Sequence, residues 1–159
     1  MLNFLKNIQL RWRKRKFLEI DHLIFGRFSS DNYSYFYPIF KLTKDKLYID
    51  DSSTWHNVRH GKGYTFVGRK LPDKYFNIAK DLLYACPYTL KDKKLKSFYT
   101  TGNKNEDNLV IEISNRSFKK QITINDYETP TEKLPEDLKQ FRMLAEQILR
   151  QLNHLMINK

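Results

Sequence analysis

Apolar positions along this chain change period several times, from the two-residue alternation of strands to the three- and four-residue spacing of helices. The run F-L-E-I-D-H-L-I-F-G-R-F, residues 17–28, predicts a first strand ending at Gly26 or shortly after. Y-S-Y-F-Y-P-I-F-K-L-T, a Lys-Asp turn and K-L-Y-I-D then predict a hairpin over residues 33–50. Pro38 has no N–H to give to a ladder, so its strand is expected at a sheet edge or bulged at the proline. Residues 50–63 hold no sustained period and read as a loop, followed by a short strand in Y-T-F-V, residues 64–67.

Leu71-Pro72-Asp73 opens a helix, because proline is tolerated in the first turn and an acid there suits the positive end of the helix dipole. Its apolar stripe is Tyr75, Ile78, Ala79, Leu82 and Leu83, and Pro87 ends it. The second half follows a similar plan. L-V-I-E-I, the turn S-N-R-S and F-K-K-Q-I-T-I predict a hairpin with Ile111 and Ile113 set against Ile122 and Ile124. Leu134-Pro135-Glu136-Asp137 then opens a longer helix with its stripe at Leu138, Phe141, Ala145, Ile148, Leu152 and Leu155. Lys139, Gln140, Arg142, Glu146, Gln147 and Arg150 make the opposite, wet face.

The expected class is α+β: an antiparallel sheet of about six strands with two helices packed on one face, preceded by a basic N-terminal segment. Residues 1–17 form that segment and residues 18–159 a single domain. The similar helix starts K-L-P-D and K-L-P-E, each after a hairpin, suggest two strand-strand-helix halves, 18–90 and 91–159, as an old duplication would leave. The alternative is that Leu-Pro-acid is simply a common way to begin a helix.

Composition narrows the class without naming a reaction. With 159 residues, 40% hydrophobic and 14% aromatic, the chain can bury roughly two-thirds of its unfolded surface and fold without covalent staples. One cysteine, Cys86, excludes an internal disulfide framework and fits a reducing compartment. No run is apolar for long enough to span a membrane, and the N-terminus lacks the continuous apolar region of a secretory signal, so a cytoplasmic location is expected.

The net charge of +11 points to an anionic partner. Lysine outnumbers arginine 20 to 9 and there are 12 asparagines; an AT-rich genome imposes the same bias, which discounts part of the lysine excess. The charge is also uneven. Residues 1–20 carry six Lys or Arg and one Glu, and a second lysine cluster, K-D-K-K-L-K, lies at 91–96.

In Q-L-R-W-R-K-R-K-F, residues 9–17, the cations Arg11, Arg13, Lys14, Arg15 and Lys16 surround Trp12. As a helix this segment has an apolar edge of Leu2, Leu5, Ile8 and Trp12 and suits an anionic membrane surface. As an extended arm it suits nucleic-acid phosphates. Packed on its own domain, it is a solvated charge run. Tyr33, Tyr35 and Tyr37 alternate onto one strand face and could stack single-stranded bases, although aromatics favour strands for packing reasons alone.

Asp50, Asp51, His56 and His60 are weak candidates for a metal site, since zinc takes carboxylate and imidazole donors. The competing view is strand-end capping by the aspartates and turns through Ser52 and Ser53. Trp55 in that loop reads as an anchor or contact residue. Cys86, in A-C-P at a helix end, reads as a small buried hydrophobe rather than a nucleophile. The glycines of G-K-G-Y-T-F-V-G match no phosphate-binding loop. No catalytic residue and no cofactor is therefore expected. The sequence favours a non-enzymatic macromolecule-binding protein, an inhibitor, immunity-type or accessory subunit with a protein partner. Nucleic-acid binding by the basic arm and the strand tyrosines ranks second, and a metal-dependent enzyme at the 50–60 loop third.

Overall fold

The computed structural model describes residues 18–28, 38–51, 66–95, 108–125 and 134–157. Its strands are β1 (His22–Phe28), β2 (Ile39–Thr43), β3 (Leu47–Asp50), β4 (Gly68–Lys70), β5 (Asn108–Ser114) and β6 (Lys119–Asn125). They form one antiparallel sheet in the order β4-β3-β2-β1-β5-β6. The helices are α1 (Asp73–Ala79), α2 (Asp81–Tyr84) and α3 (Glu136–Ile157), with a 3-10 turn at Tyr88–Lys91 between α2 and β5. The α+β class, the six antiparallel strands and the pairing of one short helical region with one long C-terminal helix agree with the sequence pattern. Four strands precede α1 and two separate it from α3.

Local chemistry accounts for the turns. At the β2–β3 turn the Thr43 amide donates to the Lys46 carbonyl at 2.9 Å, and the Lys46 amide returns a bond to Thr43 Oγ1 at 3.1 Å. At the β5–β6 turn Asn115 Oδ1 accepts from the amides of Ser117 and Phe118 at 2.9 and 3.0 Å, the Asx geometry that makes asparagine a turn former. The helix expected after Leu71 is divided at Lys80, which keeps right-handed helical angles, so α1 and α2 run on as nearly one element.

Every other residue of the strands faces the helices. Leu23, Phe25, Phe40, Leu42, Leu47, Leu109, Ile111, Ile113, Ile122 and Ile124 join Tyr75, Ala79, Leu82 and the α3 stripe in one buried cluster. The stripe is as expected at Leu138, Phe141, Ala145, Ile148 and Leu152, and wider, since Leu144 and Leu149 are buried as well.

Three expectations need correction. Pro38 lies just before β2 rather than within it, and β2 is an interior strand between β1 and β3; the ladder simply begins beyond the residue that cannot donate to it. β1 ends at Phe28, shortly after Gly26 as expected, and Gly26 pairs with Ile39 on one side and Val110 on the other. A Cβ at Gly26 would meet Ile39 Cδ1 and lie 3.0 Å from the Pro38 carbonyl oxygen, so glycine permits the close approach. The fourth strand is Gly68–Lys70: the ladder sets Asp50, Ile49 and Tyr48 opposite Gly68, Arg69 and Lys70, while of the expected 64–67, residues 64 and 65 lie outside the described residues and Phe66 and Val67 precede the strand. Arg142, placed on the wet face of α3 by its spacing, is buried. Glu146, one turn on, accepts at Oε1 from Arg142 Nε at 3.2 Å and from Arg27 Nη2 of β1 at 3.0 Å. The ion pair lets a guanidinium stay inside the helix–sheet boundary.

Two substitutions test this account by urea unfolding. Glu146→Gln should lower stability by about 1.5–3 kcal/mol, the worth of a hydrogen bond to a charged group, and an unchanged midpoint would show that the three side chains are not coupled. Gly26→Ala should cost about 1–3 kcal/mol through overpacking.

Candidate functional site

The sheet face turned away from the helices carries polar and charged side chains in register. One row crosses all six strands as Lys70, Tyr48, Lys41, Ile24, Glu112 and Gln121. The next holds Thr43, His22, Ser114 and Lys119. The middle of this face is not open. Ile24, Ile39 and Val110 form a second buried cluster with Phe66 packed against it, and Lys41 Nζ stands 5.8 Å from the centre of the Phe66 ring. The Glu112 side chain is 5% exposed and meets Lys119 Nζ at 3.1 Å. His22 titrates below its ordinary 6.5, first because burial disfavours the imidazolium and then because Lys41 and Lys119 repel it, with Asp21 opposing.

A second surface lies where α2 gives way to the 3-10 turn. Tyr84 is 68% and Tyr88 46% exposed, although each adjoins a buried neighbour, Leu83 and Pro87. Lys80 and Tyr84 are four residues apart in helical conformation and share a face. Lys91 Nζ stands 5.6 Å from the centre of the Tyr88 ring, an attraction between cation and ring face. The corner is tied down on three sides. Asp137 Oδ2 at the start of α3 accepts from the Thr89 amide at 3.1 Å and from its hydroxyl. Lys120 Nζ on β6 donates to the carbonyls of Asp92 and Leu95 at 2.8 and 2.6 Å. The Leu18 amide donates to the Cys86 carbonyl, between the two tyrosines in sequence, at 3.0 Å.

The residues singled out from sequence are placed unevenly. Arg11, Trp12, Arg13, Lys14, Arg15, Lys16, Tyr33, Tyr35, Tyr37, Trp55, His56 and His60 lie outside the described residues. Asp50 ends β3 opposite Gly68. The Asp51 amide donates to the Val67 carbonyl at 2.9 Å and its carboxylate meets Arg69 at 3.4 Å, so the pair serves the β3–β4 connection. Among the described residues no group of three or more His, Cys, Asp or Glu is arranged to hold a metal ion. Cys86 is fully buried, and burial, with the Asp137 carboxylate adding to it, pushes its thiol up to about 12. Such a thiol is not a nucleophile at neutral pH. No helix among the described residues is long and apolar enough to cross a membrane.

Tyr84 and Tyr88 were not singled out by sequence. The available signal was that Tyr84 falls beside the stripe of Leu82 and Leu83, and that the lysine cluster follows Tyr88 by three residues. No protein-family model matches the chain, and no curated protein matches it significantly.

Two measurements follow from the buried groups. Cys86 should resist a disulfide-exchange reagent in the native protein and react promptly in denaturant; fast native labelling would contradict its burial. By NMR, His22 should titrate below 6.5. Because the unfolded chain then binds the proton more readily, its contribution to stability is complete above pH ~6.5 and is lost as pH falls through the depressed folded value.

Proposed function

We propose that this protein works by binding another protein, as an inhibitor, immunity-type or accessory subunit, and not by catalysis. The observation that supports this reading is the exposure of Tyr84 and Tyr88 on a corner tied to α3, β6 and residue 18. Tyrosine is enriched among the residues that dominate protein interfaces, because a large amphipathic ring contributes contact area at small conformational cost. Anchoring the surrounding backbone lowers the ordering cost of association further. The described part of the chain offers catalysis little by comparison: its cysteine is buried and protonated, and its one strongly buried carboxylate is paired with a lysine.

Affinity capture from the native cell tests the reading. The tagged wild-type chain should retain a stoichiometric protein, and the doubly substituted Tyr84→Ala/Tyr88→Ala chain should retain at least about tenfold less of it, as expected when interface hot spots are removed. Absence of any stoichiometric protein, or equal recovery by both chains, would count against it.

A further inference from the structure

Resting on the protein-binding reading, we propose that the Tyr84–Lys94 corner takes an acidic segment of its partner. Carboxylates of that segment would lie against Lys91, Lys93, Lys94 and Lys80, and its apolar side chains on the two tyrosines. Charge complementarity is the first reason. Residues 80–95 hold four lysines, all exposed, against two aspartates. One of those, Asp92, is engaged locally, its carboxylate accepting the Lys94 amide at 2.9 Å. Lys120 brings a further ammonium to the same turn, where the Asp92 and Leu95 carbonyls hold it.

Chain connectivity is the second reason. The cationic run Arg11–Lys16 ends two residues before Leu18, and Leu18 is bonded to Cys86 in this corner. Tyr84 and Tyr88, four residues apart, have Cα atoms within about 14 Å of each other by chain length alone. One short segment can therefore touch both rings.

The same details favour an acidic protein over single-stranded nucleic acid. The Lys91 ammonium stands over one face of Tyr88, which leaves that ring a single face for base stacking. The interspersed Asp81 and Asp92 break what would otherwise be a continuous track for phosphates, whereas discrete carboxylates are free to sit between them.

The test is fluorescence anisotropy on the full chain at low salt. The probes are a short labelled peptide of glutamates flanking two leucines and a labelled oligothymidylate of equal charge. The peptide should bind more tightly than the oligonucleotide. The K91E/K93E/K94E chain should bind the peptide at least about tenfold more weakly, and Tyr84→Ala/Tyr88→Ala should weaken it severalfold. Thermal unfolding confirms that these exposed substitutions leave the fold intact. Peptide binding unaffected by either set, or an oligonucleotide bound as tightly as the peptide, would overturn the proposal. Repeating the cellular capture separates the two readings. A partner lost with the tyrosine substitutions but kept with K91E/K93E/K94E leaves the protein-binding reading standing and removes the acidic segment.

Discussion

Burial of the α3 stripe against the sheet is the contact on which the remaining structure depends. α3 is the one long helix among the described residues, and Leu138, Phe141, Ala145, Ile148 and Leu152 turn toward a strand face that is apolar because alternate residues of β1, β2, β5 and β6 are Leu, Ile or Phe. α1 and α2 are too short to persist alone. They hold their place by inserting Tyr75, Ala79 and Leu82 into the same cluster, beside α3 and over β3. The 3-10 turn is held in turn by α3, through the bonds of Thr89 to Asp137. The exposed tyrosine corner is therefore positioned by a helix that begins some fifty residues later in the chain.

The Arg27, Glu146 and Arg142 group shows how a polar arrangement fits into that contact. Arg27 projects from the helix-facing side of β1, opposite Leu109, and meets Glu146 across the interface. Strand side chains alternate with a period of two, so a one-residue slip of β1 would turn Arg27 to the far face and leave Glu146 with a partner only in its own helix. The group thus contributes to register as well as to stability, in a strand whose own pattern includes a glycine and a histidine and is weaker than those of β5 and β6.

The elements legible in the sequence are those where one physical signal dominates. The long stripe of α3 and the β5–β6 alternation each carry many coherent apolar positions. Even there detail was lost: Ile113 lies opposite Lys120, not an isoleucine, because the turn at Asn115 sets the register. β4 is hidden from the sequence because Gly-Arg-Lys has no apolar pattern and is a strand only through its pairing with β3. The burial of Arg142 is invisible to spacing alone, because it depends on Glu146, which Arg142 shares with Arg27 of β1. Of the candidate metal ligands only Asp50 and Asp51 are among the described residues, and the β3–β4 connection uses them. The tyrosine corner is not legible in the sequence, because its residues become a surface only when α2, the 3-10 turn, β6 and residue 18 meet.

The placement of the lysines bears on what the net charge of +11 can mean. Several described lysines have structural work: Lys119 neutralises the buried Glu112, Lys41 lies over Phe66, and Lys120 satisfies two carbonyls of the 92–95 turn. Lys44 lies near both Glu19 and Asp21, and Lys70 near Asp73, in exposed pairs that offset charge locally while adding little stability. The abundance of lysine is a matter of composition, and its placement on the fold is a separate observation. Lys91, Lys93 and Lys94 gather beside two exposed tyrosines, and Lys91 lies over Tyr88 as Lys41 does over Phe66. This pairing of exposed rings with neighbouring ammonium groups is the arrangement on which the proposed binding of an acidic segment rests.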